Sequence, residues 1–188
     1  MKRVLVPLAP GFEEVEALTV VDYLRRAGAQ VITASVGAPN PIAGKHKIRV
    51  MADIDLGEAL AEWGEEWDLV VLPGGPAVAK LPESEALMGL LRKRLAEHKL
   101  TAAICAAPLV LAQAGLDPKT HITSWPGVRQ DLAAFEHYSE ARVVIDGHVI
   151  TSRGPGTSVD FALVLIERLF GAQKAAEIRT DTVSHPHS

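Results

Sequence analysis

The stretch Leu100-Thr101-Ala102-Ala103-Ile104-Cys105-Ala106-Ala107-Pro108-Leu109-Val110-Leu111-Ala112-Gln113-Ala114 decides the fold. Leu100–Ile104 is a short apolar run and reads as a buried strand. Ala106–Ala114 is apolar and small, and reads as a buried helix that begins immediately after the cysteine. Its Pro108 falls in the first turn, where proline is tolerated. A strand that passes directly into a helix is the building unit of a parallel sheet. Cys105, the only cysteine of the chain, stands at the junction.

The same alternation extends in both directions. Upstream, Arg3–Leu8 reads as a buried strand ended by Pro10-Gly11. Glu13–Ala27 carries Val15, Leu18, Val21 and Leu24 at helical spacing and stops at Gly28. Gln30–Val36 reads as a strand, Pro39–Gly44 as a loop, Lys47–Ala52 as a short strand and Leu56–Glu62 as a weak helix. Asp68–Leu72 is a buried strand broken by Pro73-Gly74-Gly75, and Ser84–His98 is an amphipathic helix. Downstream, Val143–Ile145 and His148–Thr151 flank Asp146-Gly147, the signal of a tight hairpin. Thr157–Phe170 is a helix with a Thr157-x-x-Asp160 cap pattern that ends at Gly171. Ala172–Ile178 is a last short helix and Ser184–Ser188 a loose tail. Repeated strand–helix units predict one α/β domain over residues 1–188, with a mostly parallel sheet, helices on both faces and an added antiparallel hairpin.

Composition bounds the function. The chain has 188 residues, 48% of them hydrophobic, and a formal net charge of -4, with no basic stripe for nucleic acid. No uninterrupted apolar run reaches the roughly 18 residues of a membrane span. A single cysteine excludes an internal disulfide, and the apolar run after Met1-Lys2-Arg3 is too short for a secretory signal. The expectation is a cytoplasmic protein that acts on something small, on itself or on other proteins. There is no G-x-x-x-x-G-K-[ST], no H-E-x-x-H and no metal-like cysteine cluster, so no cofactor and no metal are expected. The His185-Pro186-His187 tail reads as a loose terminus. Gly154-Pro155-Gly156-Thr157-Ser158 reads as a capped loop, and His98, His121, His137 and His148 as surface or edge residues.

In open α/β sheets, ligands sit beyond the carboxyl ends of the strands. Three features fall there: Pro10–Glu16, Pro73-Gly74-Gly75-Pro76 and Cys105. The following helix start would aim N–H groups at the Cys105 sulfur and lower its pKa. Position alone also fits a buried structural cysteine. Gly74 and Gly75 permit close backbone approach and can present amides to an oxyanion. Glu13 and Glu14 match the ordinary preference of acids for a helix start. Glu16 lies beside the apolar face. Protonated, it would donate a hydrogen bond to the sulfur; ionised, it would repel a thiolate and raise the thiol pKa. The sequence leaves both states open.

Four segments together resemble the ThiJ/PfpI superfamily, in the branch of the parkinsonism-associated DJ-one protein and its bacterial relatives. They are Leu8-Ala9-Pro10-Gly11-Phe12-Glu13-Glu14-Val15-Glu16, Val70-Val71-Leu72-Pro73-Gly74-Gly75, Ala102-Ala103-Ile104-Cys105-Ala106-Ala107-Pro108 and Thr151-Ser152-Arg153-Gly154-Pro155-Gly156-Thr157-Ser158. The resemblance implies a flavodoxin-like three-layer sandwich and a homodimer. It implies that Cys105 is a nucleophile and that Glu16 hydrogen-bonds it, with Gly74, Gly75 and Ala106 as backbone donors. It implies oxidation of Cys105 to a sulfinic acid stabilised by Glu16, and activities that include cofactor-free glyoxalase and deglycase action, redox sensing and chaperone action. The protease-like branch has a histidine after the cysteine; Ala106 stands there, which argues against a peptidase. Trp125 replaces a pocket histidine of the human-type proteins. His46 falls, by a gapped match, where an arginine reaches the pocket, and Arg26 keeps a basic residue of the site.

Overall fold

The computed structural model describes residues 1–184. Residues 185–188, which include the His185-Pro186-His187 tail, lie outside the described residues.

The elements run β1 (Arg3–Leu8), α1 (Glu14–Arg26), β2 (Gln30–Ser35), β3 (Ile42–Ala43), β4 (Arg49–Val50), β5 (Ile54–Asp55), α2 (Leu56–Trp63), β6 (Leu69–Leu72), α3 (Glu85–Ala96), β7 (Thr101–Ile104), α4 (Pro108–Gln113), β8 (Val143–Asp146), β9 (Val149–Ser152), α5 (Ser158–Phe170) and α6 (Ala172–Asp181). Seven strands form the main sheet in the order β5-β2-β1-β6-β7-β9-β8. Every pairing is parallel except β8 with β9, the hairpin that Asp146-Gly147 announces. With the edge strands β5 and β8 set aside, the parallel order is 2-1-3-4-5, the flavodoxin-like arrangement.

The central strands are apolar throughout because helices cover the sheet. Val4, Leu5, Val6, Leu69, Val70, Leu72, Ala102, Ala103 and Ile104 are all fully buried. Helix α1 packs on α5 and α5 on α6, while α3 and α4 contact β7. Among the described residues no helix is long and apolar enough to cross a membrane.

Three expectations shift in the structure. Ile42–Ala43, inside the expected loop, pairs antiparallel with Arg49–Val50 in a separate two-stranded sheet. The edge of the main sheet is instead Ile54–Asp55, which pairs with Ala34–Ser35. Two-residue strands held by position rather than by an apolar run leave little pattern to read. Helix α4 starts at Pro108, not at Ala106, because residues 105–107 form a turn and Cys105 has φ of +65°.

Two features sit at the ends of the parallel strands away from Cys105. The guanidinium of Arg94, 1% exposed, donates to the carbonyls of Trp67 and Leu100 and to Thr101 Oγ1. His98 and His148, which precede β7 and β9, bring their Nδ1 atoms to 3.4 Å. His121 and His137 also pair, with rings stacked at 4.3 Å.

Candidate active site

The order 2-1-3-4-5 reverses between β1 and β6, and ligands bind at such a reversal beyond the strand ends. The loops after β1, β6 and β7 meet there, carrying Glu13 and Glu16, Gly74 and Gly75, and Cys105.

Cys105 occupies the left-handed region, which costs a non-glycine residue energy and persists only where neighbours enforce it. Here they do. The Cys105 amide donates to Ser152 O on β9 at 2.9 Å, and its carbonyl accepts from the Trp125 amide at 2.9 Å. The kink turns the side chain out of the strand, as in a nucleophile elbow.

The β6 loop packs against it. A Cβ on Gly74 would stand 2.6 Å from Cys105 Cβ, 3.1 Å from Sγ and 2.7 Å from Glu16 Oε2. Only a residue without a side chain lets thiol and carboxyl share that face of the backbone. Gly75 has φ of +90°, and a Cβ there would come within 2.4 Å of Gly11 O and 2.7 Å of Glu13 N.

Helix α1 supplies the acid. Glu13 caps it, with Oε2 accepting from the Glu16 amide at 2.9 Å. One turn in, Glu16 is completely buried. Its Oε2 accepts from the Gly74 amide at 2.8 Å, while Oε1 has no hydrogen-bond partner among the described residues. Burial pushes the Glu16 carboxyl up to about 7, against the lowering effect of its hydrogen bonds with Cys105 and Gly74. Burial likewise pushes the Cys105 thiol up, with the charge and hydrogen bond of Glu16 adding to it, to about 12. The Ala106 and Gly75 amides pull the other way.

That outcome corrects the expected lowering of the thiol pKa. Helix α4 is short and begins three residues after the sulfur, so its dipole does not offset burial beside a carboxyl. The sulfur therefore keeps its proton at neutral pH, while the carboxyl changes charge near pH 7.

A cavity of about 370 Å³ opens onto the pair. Glu13, Glu16, Gly75, Cys105, Lys45 and Trp125 line it, and Pro76, Ala106 and Pro155 complete the wall. Trp125 is 49% exposed; a Cβ on Gly127 would meet its Nε1 at 2.6 Å, and one on Gly154 its ring at 3.4 Å. The indole is thus held close to two glycines at the rim.

The Gly74 amide, expected as a donor to an oxyanion, is taken by Glu16 Oε2, and two of the expected pocket side chains lie elsewhere. Arg26 is exposed at the end of α1 and pairs with Asp22 one turn back at 2.7 Å. The site needs the start of α1, and Arg26 lies at its other end. His46 points to the capping acids, with Nδ1 3.0 Å from Glu14 and 3.7 Å from Glu13, and does not line the cavity. Its neighbour Lys45 does. Lys45 and the lining role of Glu13 had no sequence signal beyond nearness to the first loop; the β3–β4 sheet that delivers Lys45 is too short to read.

Among the described residues, Glu13, Glu14 and His46 are the one group of three whose ligand atoms lie within 4.8 Å of one another. Their oxygens are already engaged. Glu14 accepts from the His46 and Ile48 amides and contacts the His46 ring, and Glu13 caps α1. The group is a capping network that fastens the β3–β4 sheet to the helix start.

A flavodoxin-like α/β sheet with a cysteine on a strained strand-to-helix turn, packed against a buried carboxyl, defines a class of cysteine-bearing α/β proteins. Within that class the chain belongs to the DJ-1/PfpI family, whose model matches residues 2–168. It is 40% identical over 185 residues to the Parkinson disease protein 7 homolog of Danio rerio, covering 97% of each chain. It is 33% identical over 175 residues to the glutathione-independent glyoxalase DJR-1.2 of Caenorhabditis elegans, covering 92% of this chain and 91% of that one. The crystal structure of Drosophila melanogaster DJ-1beta superposes with a TM-score of 0.89 at 37% identity, covering 97% of each chain.

Proposed function

We propose that the protein is a cysteine-dependent, cofactor-free enzyme of glyoxalase or deglycase type, acting on methylglyoxal or on its adducts with amines and thiols. The observation that carries this reading is Glu16. It is a buried carboxyl with a pKa near 7, packed with Cys105 against one glycine and open to a cavity of small-molecule size. A general base works best when its pKa lies near the working pH.

The sulfur keeps its proton at neutral pH, so attack and proton transfer go together. The Cys105 S–H proton passes to the Glu16 carboxylate as sulfur bonds to the aldehyde carbon. The oxygen charge that develops faces the Gly75 and Ala106 amides. Glu16 returns that proton to the oxygen, giving a hemithioacetal. As a carboxylate again, it takes the proton from the former aldehyde carbon and delivers it to the neighbouring carbonyl carbon while the hydroxyl proton passes to the second oxygen, which leaves a thioester of lactate. Water releases lactate and restores the thiol. The sum is methylglyoxal plus water to lactate. From an amine adduct the C–S bond forms as the C–N bond breaks, the amine leaves with the thiol proton passed through Glu16, and the hemithioacetal then follows the same course. The name of the worm relative supports this activity class.

The proposal extends to a homodimer in the cytoplasm. Exposed apolar side chains, Val15 on α1 and Ile48 and Met51 beside β4, support the dimer reading. Purified protein incubated with methylglyoxal should form lactate, and Cys105→Ser should abolish it while the melting temperature stays nearly constant. Full turnover by that variant sinks the enzymatic reading.

One observation favours a second reading, a redox sensor or chaperone with oxidative-stress protection. Glu16 Oε1 is buried without a partner, and a protonated carboxyl there can donate to an oxygen added to the sulfur. Mild peroxide should then add two oxygens to the intact mass, with little lactate formed from methylglyoxal. A mass that does not change removes this reading.

A further inference from the structure

The lining of the Cys105 cavity holds one cation, Lys45, in a position that the proposed chemistry does not use. Its backbone is pinned. The Lys45 amide donates to Phe12 O at 2.8 Å, the Gly44 amide to Ile48 O at 2.9 Å, and the Gly11 amide to Ala43 O at 2.8 Å. These bonds fasten the segment to the loop that carries Glu13. The side chain therefore starts from a fixed point at the cavity wall.

Among the described residues, the Lys45 ammonium takes part in no ion pair. Glu13, in the same cavity wall, and its neighbour Glu14 have other partners. Glu13 caps α1 and lies 3.7 Å from His46, and Glu14 holds His46. Its charge nonetheless reaches the reacting pair, because it lowers the pKa of Glu16. An ammonium on a pinned backbone, beside a nucleophile and with no carboxylate spent on it, is a receptor for a ligand anion.

We infer that Lys45 makes the Cys105 cavity a carboxylate-recognition site, so that the favoured substrates are 2-oxoaldehydes, or their adducts, bearing a carboxylate beyond the reacting carbonyl. A carboxylate fits better than a phosphate. One ammonium matches one negative charge, and a phosphomonoester brings about -1.5 to -2 at neutral pH. Glu13 in the same wall would repel the excess. Trp125 offers an apolar face for the carbon skeleton between the two ends. The substrate class rests on the enzymatic reading above; the anion site does not.

Alkylation of Cys105 tests the site without turnover. Iodoacetate and iodoacetamide both form an S–C bond, expel iodide and release the thiol proton to buffer; they differ in charge. Their rates are followed by intact mass at low salt, for the wild type, Lys45→Ala, Lys45→Glu and the control Lys119→Ala, which changes an exposed lysine outside the cavity lining. The ratio of iodoacetate to iodoacetamide rates should fall about two- to fivefold in Lys45→Ala, the range for one partly exposed charge pair. It should fall further in Lys45→Glu, narrow as salt is added, and stay unchanged in Lys119→Ala. An equal ratio in the wild type and Lys45→Ala overturns the proposal.

Turnover of phenylglyoxal against 4-carboxyphenylglyoxal gives the second arm. The wild type should prefer the carboxylated compound, and Lys45→Ala should lose that preference. A wild type that turns both over with no preference overturns the substrate assignment. If the alkylation ratio falls but neither compound is turned over, the anion site stands and the enzymatic reading fails.

Discussion

The Gly74 amide donates to Glu16 Oε2 at 2.8 Å, and the other oxygen of the same carboxyl is buried with no partner among the described residues. The two oxygens are therefore unequal. Oε2 is anchored beside Cys105 on the face of Gly74 that has no side chain. Oε1 is left for a substrate hydroxyl or for an oxygen added to the sulfur. An unsatisfied buried carboxyl oxygen destabilises the protein unless a ligand pairs with it.

The first prediction concerns proton transfer. Glu16 accepts the thiol proton only when ionised, so kcat/KM for methylglyoxal should rise through about pH 7. Glu16→Gln should lower it by at least about 100-fold. The same variant should be alkylated faster by iodoacetamide at pH 8. The carboxylate charge and hydrogen bond that raise the Cys105 pKa are then gone. A more reactive thiol with less turnover separates base catalysis from simple thiol activation. Turnover retained in Glu16→Gln would sink the assignment.

The same carboxyl should make stability depend on pH. Its pKa moves from an ordinary 4.5 to about 7 on folding, so the folded state binds the proton more tightly. The stabilisation is full below pH 4.5 and is lost as pH rises through 7. The shift corresponds to about 3 kcal/mol between those limits. Glutamine imitates the protonated acid at every pH. Glu16→Gln should thus melt higher than the wild type at pH 8.5 and close to it at pH 4.5, by calorimetry on both proteins. Equal melting temperatures at pH 8.5 would show that the carboxyl is not strained by burial.

The sequence carried the parallel strands and the convergence of three loops, because both follow from long apolar runs and from glycine or proline breaks. Cys105, Glu16, Gly74 and Gly75 were legible for that reason. Arg26 and His46 were not, since only a resemblance placed them and no periodicity fixed where they point. The raised thiol pKa was half legible. An ionised Glu16 was expected to raise it and the helix start to lower it. The balance turned on α4 beginning at Pro108, which depends on the Cys105 backbone. Lys45 escaped because two-residue strands have no pattern.

The third prediction tests the far end of the sheet. Arg94 is a buried cation that, among the described residues, pairs with no carboxylate, and burial lowers its pKa to about 10. It is held by the carbonyls of Trp67 and Leu100 and the hydroxyl of Thr101. Replacing it with methionine keeps most of the volume, orphans the Trp67 carbonyl and leaves the Leu100 carbonyl with only the Val70 amide at 3.4 Å. The expected loss is about 1–3 kcal/mol per orphaned group in denaturant unfolding, offset in part by no longer burying a charge. Turnover per folded molecule should not change, because the residue precedes β7 and the cysteine follows it. A neutral effect on stability would mean that the desolvation cost of the guanidinium cancels its bonds.

The fourth prediction separates two adjacent glycines that serve different ends. At Gly75 an alanine Cβ would meet backbone atoms, Gly11 O at 2.4 Å and Glu13 N at 2.7 Å, in a residue with φ of +90°. Backbone cannot rotate aside, and positive φ adds strain of about 1 kcal/mol or more. Gly75→Ala should therefore lose stability outright and shift the loop that carries Glu13. At Gly74 the obstacles are the side chains of Cys105 and Glu16, and φ is not in the left-handed region. Gly74→Ala should displace the carboxyl from the sulfur at a smaller cost in stability. It should remove the inflection near pH 7 from kcat/KM and speed the reaction with iodoacetamide, as the charge of Glu16 retreats. Thermal melts, a pH–rate profile and alkylation rates on the two variants check this contrast. If Gly74→Ala keeps the wild-type inflection, the carboxyl does not need that face of the backbone to reach the sulfur.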